Sequence, residues 1–258
     1  MSAKTAAAIN AKDLIEGLGK GLRVIESFDD DHPRLTASEA AARTGITRTA
    51  ARRHLLSLVH FGYAAGDGKQ FWLAPRVLRL GQSYLGAARL PRLVQPFIQR
   101  VSMQCGETVN VSVLDGHEVV YLARSSPPRW VSIGYQVGVR VPAHVVTPGV
   151  VMLAARGDEE ISAWIKAHDF VGFTAHTVTD KTRFRAEVRE ARDQDYWTTG
   201  QQLDPGLRGL AVALKDRKGL CKGALSVTVP SASTTEKQMV DKLLPLLREA
   251  AQLLMPLL

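Results

Sequence analysis

The chain has 258 residues, enough for two domains with ordinary cores. Its 45% hydrophobic and 22% charged content is that of a globular protein; no apolar run is long enough to span a bilayer and no signal-peptide core opens it, so a cytoplasmic protein without membrane partners is expected. The net charge of +8 is unevenly spread: thirteen Lys and Arg against eight Asp and Glu fall between Met1 and Arg89, which places five of the eight excess positive charges there.

Met1 to Asn10 is small and Ala-rich and is expected to be a disordered tail. An amphipathic helix is predicted over Asp13 to Phe28, with Leu18, Leu22, Ile25 and Phe28 on one stripe, followed by a polar break from Asp29 to Pro33. Leu35 to Leu73 then reads as a complete winged helix-turn-helix. Thr36 and Glu39 have capping-box spacing, and the short helix Ala37 to Thr44 stops at Gly45, a residue that tolerates the left-handed turn past a helix end. Thr47 caps a second helix running to about His60, which Gly62 closes. Tyr63–Ala65 and Gln70–Leu73 flank the Gly66-Asp67-Gly68 turn as a hairpin. This layout places its second helix in a DNA major groove.

The chemistry of that second helix agrees. Ala51, Leu55, Leu58 and Val59 form its inward face, and Thr49, Arg52 and Arg53 point mostly the other way, with Arg48 one turn before Arg52. No acid occurs between Glu39 and Asp67. Arginine bridges guanine acceptors or holds phosphates, and threonine contacts either. Thr47, Arg48, Thr49, Arg52 and Arg53 are the candidate DNA-reading set, with Lys69 in the hairpin as a backbone contact. A solvated basic helix in a protein-binding domain is the alternative reading of the same charges.

Arg76 to Leu90 reads as a connecting helix, with Val77, Leu80, Tyr84 and Ala87 at helical spacing, and Pro91 is expected to end it. The boundaries drawn are thus 13–75 for the DNA-binding domain, 76–90 for the linker helix and 91–258 for the second domain. That domain is predicted as α+β. Arg92 to Gln104 is helical, and Val109–Val113 and Val119–Tyr121 form a hairpin around Asp115-Gly116. Val131, Ile133, Tyr135 and Val137 make a third strand. Helices follow over Pro148–Ala155, Glu159–Ala167 and Lys181–Asp195, then strands over Leu207–Leu214 and Ala224–Val229, then a closing helix Thr235–Leu258 kinked at Pro245.

Within this domain Thr147 reads as a helix N-cap with Pro148 at the first helical position, a place where free N–H groups and the dipole favour a carboxylate. A structural cap needs no ligand, so both readings stand. Leu225, Val227 and Val229 take one face of a strand, leaving Ser226 and Thr228 together on the other, as a polar ligand contact or a half-exposed sheet face. Cys105 and Cys221 have no metal or redox spacing, and the seven His residues have no metal-ligand pairing. No phosphate loop or nucleophile elbow occurs, so no cofactor, metal or enzymatic activity is expected.

Several motifs in order resemble the IclR family of bacterial transcriptional regulators. Gly21-Leu22-Arg23-Val24-Ile25 is similar to the family's first helix, and Thr47 to Leu56 to its recognition helix. Ala74-Pro75-Arg76-Val77-Leu78 with Leu80-Gly81 is similar to its linker, and Leu203 to Arg208 with Leu210-Ala211-Val212 to its C-terminal signature. Arg34-Leu35-Thr36, Leu114-Asp115-Gly116 with Val120 to Arg124, and Asp204 to Arg208 resemble the PcaR/PcaU/PobR branch, whose members sense aromatic acids such as protocatechuate or 4-hydroxybenzoate.

The resemblance implies a GAF-like (profilin-like) effector domain with an antiparallel sheet. It also implies homodimers or dimers of dimers that read a pseudo-palindromic double-stranded operator. It places effector contacts at Thr147, Pro148, Thr199, Gly209, Ser226 and Thr228, with apolar pocket positions at Trp130, Ile133 and Val141. Val150 replaces a common family Lys or Arg, and Gln201 and Gln202 stand where relatives often have acids. The expected function is a ligand-responsive, sequence-specific transcriptional regulator of aromatic-acid catabolism genes. The alternatives are a sensor of a small non-aromatic acid, or a small-molecule- or protein-binding module that has lost DNA reading.

Overall fold

The computed structural model of the chain describes residues 9–128 and 134–258, so the expected tail up to Ala8 lies outside the described residues. The chain divides after Ala87 into two compact units. The first contains α1 (Glu16–Glu26), β1 (Leu35–Thr36), α2 (Ala37–Thr44), α3 (Arg48–His60), β2 (Ala64–Gly66), β3 (Gln70–Leu73) and α4 (Leu78–Ala87).

Local chemistry sets the ends of α2 and α3. Glu39 N–H donates to Thr36 Oγ1 at 3.3 Å while Thr36 N–H donates to Glu39 Oε2 at 2.7 Å, completing the capping box. Gly45 adopts φ 69°, and two residues later Thr47 Oγ1 accepts from Ala50 N–H at 3.2 Å to start α3. The tight turn between them follows from these two features. At the wing tip, Asp67 Oδ1 accepts from the amides of Lys69 and Gln70. The wing has one strand more than expected, in the order β1-β3-β2, because Leu35 and Thr36 pair with Phe71 and Gln70 before α2 begins.

The first helix differs from expectation. A 3-10 turn spans Ala11–Asp13 and α1 begins only at Glu16. Val24 is fully buried with Leu35, Ala40, Ala51, Leu55 and Phe71, whereas Leu18 and Leu22 are 63% and 44% exposed. The close approach of α3 explains this: a Cβ on Gly21 would lie 3.6 Å from His54 Nδ1, so the packed face is the one through Gly21 and Val24.

The second unit begins with α5 (Arg89–Cys105), followed by β4 (Thr108–Asp115), β5 (Glu118–Ser125), β6 (Arg140–Pro142), α6 (Thr147–Ala154), α7 (Asp158–Ala167) and α8 (Lys181–Gln194). It continues with β7 (Trp197–Gly200), β8 (Leu207–Lys215), β9 (Cys221–Pro230) and α9 (Glu236–Leu254). The helix break expected at Pro91 falls at Ala88; Pro91 sits in the first turn of α5, where a missing N–H costs no hydrogen bond. The predicted strand through Val131 and Ile133 lies partly outside the described residues, and Tyr135 and Val137 occupy a turn before β6.

The six strands form one antiparallel sheet in the order β6-β5-β4-β9-β8-β7. Its two faces are covered differently. Leu210, Val212 and Leu214 of β8 and Leu225, Val227 and Val229 of β9 pack against Val94, Ile98 and Val101 of α5 and Met239, Leu243, Leu244 and Leu247 of α9. The alternate residues turn to the side of α6, whose eight residues are all buried. Gly149 makes that placement possible, since a Cβ there would lie 2.0 Å from the Ala143 carbonyl oxygen.

Candidate DNA-reading surface and effector cavity

On α3, Ala51 and Leu55 are buried and Leu58 and Val59 pack against the same core, so the inward face is as the periodicity predicts. Arg48, Thr49, Arg52 and Arg53 are exposed, and none of the three arginines makes an ion pair among the described residues. Arg43, in contrast, is engaged: its guanidinium donates to Ser27 O at 2.8 Å and pairs with Asp29. The Thr47 oxygen is occupied by its cap, leaving the hydroxyl proton free to donate. Lys69 is exposed on the wing turn.

In the second unit, a cavity of about 370 Å³ of empty space, partly open to solvent, lies between the sheet and the start of α6. Its lining brings together six of the expected effector residues, Thr147, Pro148, Thr199, Gly209, Ser226 and Thr228. The sheet register explains how: Thr199 pairs with Gly209, and Gly209 pairs with Thr228. Gly209 leaves the space that Thr147 fills, because a Cβ there would lie 2.9 Å from Thr147 Oγ1 and 3.5 Å from Thr199 Oγ1. Ser226 and Thr228 are buried, which removes the half-exposed sheet-face reading.

Three expectations change. Thr147 is the first residue of α6, its cap position is Val146, and its side chain makes no capping bond. The carboxylate-binding potential of that helix end is therefore narrower than expected: Pro148 has no N–H, and the amides of Gly149 and Val150 both donate to Val146 O, leaving the Thr147 amide. Val141 pairs with Val119 in β6, packs in the core and does not line the cavity. Trp130 and Ile133 lie outside the described residues.

The structure also adds residues. Tyr121 and Tyr135 line the cavity as a stacked pair, with ring centroids 4.9 Å apart and planes 27° apart. Burial pushes both phenols up, Tyr135 to about 12 with help from the nearby Asp204 carboxylate, so both stay neutral. The alternation that put Tyr121 beside Val119 marked it as inward; the alternation predicted through Ile133, Tyr135 and Val137 marked Tyr135 too, but as a strand residue rather than one outside any strand. Val145, Val146, Leu203 and Leu207 supply apolar wall, and Gln201, Gln202 and Asp204 complete the lining. Gln202 Oε1 accepts from Val178 N–H at 3.4 Å, and Thr177 Oγ1 donates to the Gln202 carbonyl at 2.6 Å, so this residue is tied to the neighbouring loop. No Lys or Arg is among the lining residues described.

No group of residues suited to a metal ion occurs among the described residues, and no helix among them is long and apolar enough to cross a membrane. A winged helix-turn-helix on one unit and a hydroxyl-lined cavity within an α+β unit define a DNA-binding transcriptional regulator with a sensing domain. The match to known families is specific: residues 17–68 match the IclR helix-turn-helix domain, and residues 82–255 match the C-terminal domain of bacterial IclR transcriptional regulators. The chain belongs to the IclR family.

Among relatives, the p-hydroxybenzoate hydroxylase transcriptional activator of Acinetobacter baylyi is 37% identical, covering 94% of this chain and 92% of its own. The inducer-binding domain of a PobR double mutant from Acinetobacter, in complex with 3-hydroxybenzoic acid, is similar with a TM-score of 0.63 and 32% identity, covering 66% of this chain and 100% of that one. An IclR homologue from Microbacterium hydrocarbonoxydans in complex with 4-hydroxybenzoate has a TM-score of 0.71 at 27% identity, covering 92% of this chain and 96% of that one.

Proposed function

We propose that this regulator controls genes of aromatic-acid catabolism and that an aromatic carboxylic acid of the hydroxybenzoate class is its effector. The observation that carries the reading is the cavity. Four hydroxyl side chains, Thr147, Thr199, Ser226 and Thr228, converge beside a stacked tyrosine pair and an apolar wall. Aromatic faces take the ring, while hydroxyls and the Thr147 amide offer neutral, directional donors to a carboxylate. The relatives that recognise or are named for hydroxybenzoates support the same class.

On the DNA side, Thr47, Arg48, Thr49, Arg52 and Arg53 read the major groove, with Lys69 on the backbone. A homodimer presents two such helices to a pseudo-palindromic operator. Effector binding shifts the population between states of different operator affinity, by as much as the effector's own affinity differs between them. Calorimetry of the full chain against hydroxybenzoates, benzoate and small aliphatic acids tests the reading. Saturable binding of hydroxybenzoates that changes operator affinity supports it, and a response confined to aliphatic acids overturns it.

A further inference from the structure

The cavity's polar character continues past its lining into a residue that neither the family motifs nor the pocket lining picks out. Asn110 on β4 is completely buried, and neither its Nδ2 nor its Oδ1 has a hydrogen-bond partner. Ser226 Oγ, on the strand beside it, is also buried without a partner. Asn110 and Ser226 are direct cross-strand partners, as are Thr108 and Thr228 two pairs further along, the next pair on the same face. On β4, Val109 and Val111 face the α5–α9 core, so Asn110 faces the cavity side of the sheet. Gly134, which precedes the lining residue Tyr135, sits over this patch: a Cβ on it would lie 3.6 Å from Asn110 Nδ2 and 3.7 Å from Thr228 Cβ.

Unpartnered polar groups at zero exposure are costly, and a buried primary amide with both ends open is an invitation to one kind of group. A carboxylate only accepts, so it would answer Nδ2 and leave Oδ1 bare. A methyl or a halogen answers neither as a full partner. A hydroxyl donates to Oδ1 and, with its two lone pairs, accepts from both Nδ2 and the Ser226 hydroxyl, which satisfies the set. Spacing agrees. Ser226 and Thr228 are two residues apart on one strand face, about 6.8 Å along the strand, close to the span of a para-hydroxybenzoate from carboxylate to hydroxyl.

We propose that Asn110, with Ser226 beside it, reads a ring hydroxyl on the effector, while the acid end lies on the Thr147–Thr199–Thr228 side. This inference rests on the aromatic-acid reading of the cavity. It makes Asn110 a specificity-determining residue: it selects para-hydroxylated acids over the unsubstituted ring.

The test is calorimetry of the full chain with 4-hydroxybenzoate, 3-hydroxybenzoate and benzoate, for wild type, Asn110→Leu and Ser226→Ala, with melting curves to establish that each is folded. The wild type is expected to prefer 4-hydroxybenzoate over benzoate by about 10- to 100-fold, the range of one buried hydrogen-bonded group. In Asn110→Leu that preference is expected to fall to within about threefold, chiefly through lost 4-hydroxybenzoate affinity. A wild type that binds none of the three acids overturns the aromatic-acid reading, and this inference with it. A wild type that binds, with a preference that survives in Asn110→Leu, overturns the Asn110 assignment alone. Should Asn110→Leu fail to fold, Ser226→Ala decides: an unchanged preference there overturns the hydroxyl site.

Discussion

The reading helix and the effector cavity are built by opposite rules. On α3, three guanidiniums are exposed and make no ion pair among the described residues, and the residues that hold them there are neighbours in sequence. In the cavity, the described lining contains no Lys or Arg, and its residues come from positions as distant as Tyr121 and Thr228. The difference follows from the partner each would meet. A polyanion is attracted by net charge that solvent can reach, with counter-ion release contributing to affinity. A small acid is told from its analogues by buried, directional hydrogen bonds, since unpaired groups in a dry site cost more than they do in water.

The comparison breaks most severely at Gly149. Substitution by Ala forces a Cβ to within 2.0 Å of the Ala143 carbonyl, which is backbone and has no rotamer to yield. A cost above about 3 kcal/mol is expected, beyond the usual range of overpacking, read as loss of the second unit's cooperative melting; a wild-type melting curve would show that the α6 start is free to shift. Next comes Arg52→Ala, expected to cost about 1–3 kcal/mol of operator affinity, or roughly 10- to 100-fold. Footprinting titrations at several salt concentrations check it, and an unchanged affinity would remove Arg52 from the reading set. Operator binding should also weaken steeply with salt, whereas effector binding, resting on neutral groups, should hardly respond.

Thr228→Val sharpens the cavity side. Effector affinity is expected to fall about tenfold on loss of one buried hydroxyl, measured by calorimetry, and wild-type affinity would take β9 out of the site. The smallest effect is a pH dependence. His168 is buried, donates from Nε2 to His144 Nδ1 at 2.8 Å when His144 donates to Val171 O, and lies near His117. Burial first, then the two neighbouring imidazoles, lowers its pKa from 6.5 to about 4, with Asp169 opposing and Lys181 adding slightly to the shift. The unfolded chain therefore takes up a proton that the folded chain refuses. The stability tied to neutral His168 is complete above pH 6.5 and is lost as the pH falls toward about 4. Melting temperatures between pH 7 and pH 5 should decline, and His168→Gln should flatten the decline; an equal slope in the variant would assign it to other groups.

How much could be read in the chain beforehand follows the same division. The helix-turn-helix was legible nearly to the residue, because Thr36, Glu39, Gly45 and Thr47 act on their own backbone within a turn or two. The α1 stripe was right at Ile25 and Phe28 and misread at Leu18 and Leu22, because the packed face passes through Gly21 and Val24 against α3, information that periodicity does not contain. In the cavity, Ser226 and Thr228 were legible from strand alternation. Thr147 and Pro148 were legible as a helix start, Thr199 and Gly209 came from motif resemblance, and the register of β7, β8 and β9 brings Thr199 and Gly209 beside Thr228. The departure from the family pattern at Gln201 and the signature run at Asp204 mark that neighbourhood without showing that the two side chains line the cavity, and Tyr135, read as a strand residue, lies outside any strand. Asn110 was invisible for a further reason: a polar residue in a strand looks like an outward one until its neighbours are known to bury it.

β9 has a consequence of its own. Its odd-numbered residues, Leu225, Val227 and Val229, are clamped by α5 and α9, while Ser226 and Thr228 border the cavity. One extended backbone thus serves as a partition between the helix-packed core and the cavity. The same core that β9 packs into holds α5, the helix whose first residue, Arg89, stands one peptide beyond Ala88 and the division between the units. A strand bordering the cavity thus shares its core with the helix that opens the second unit.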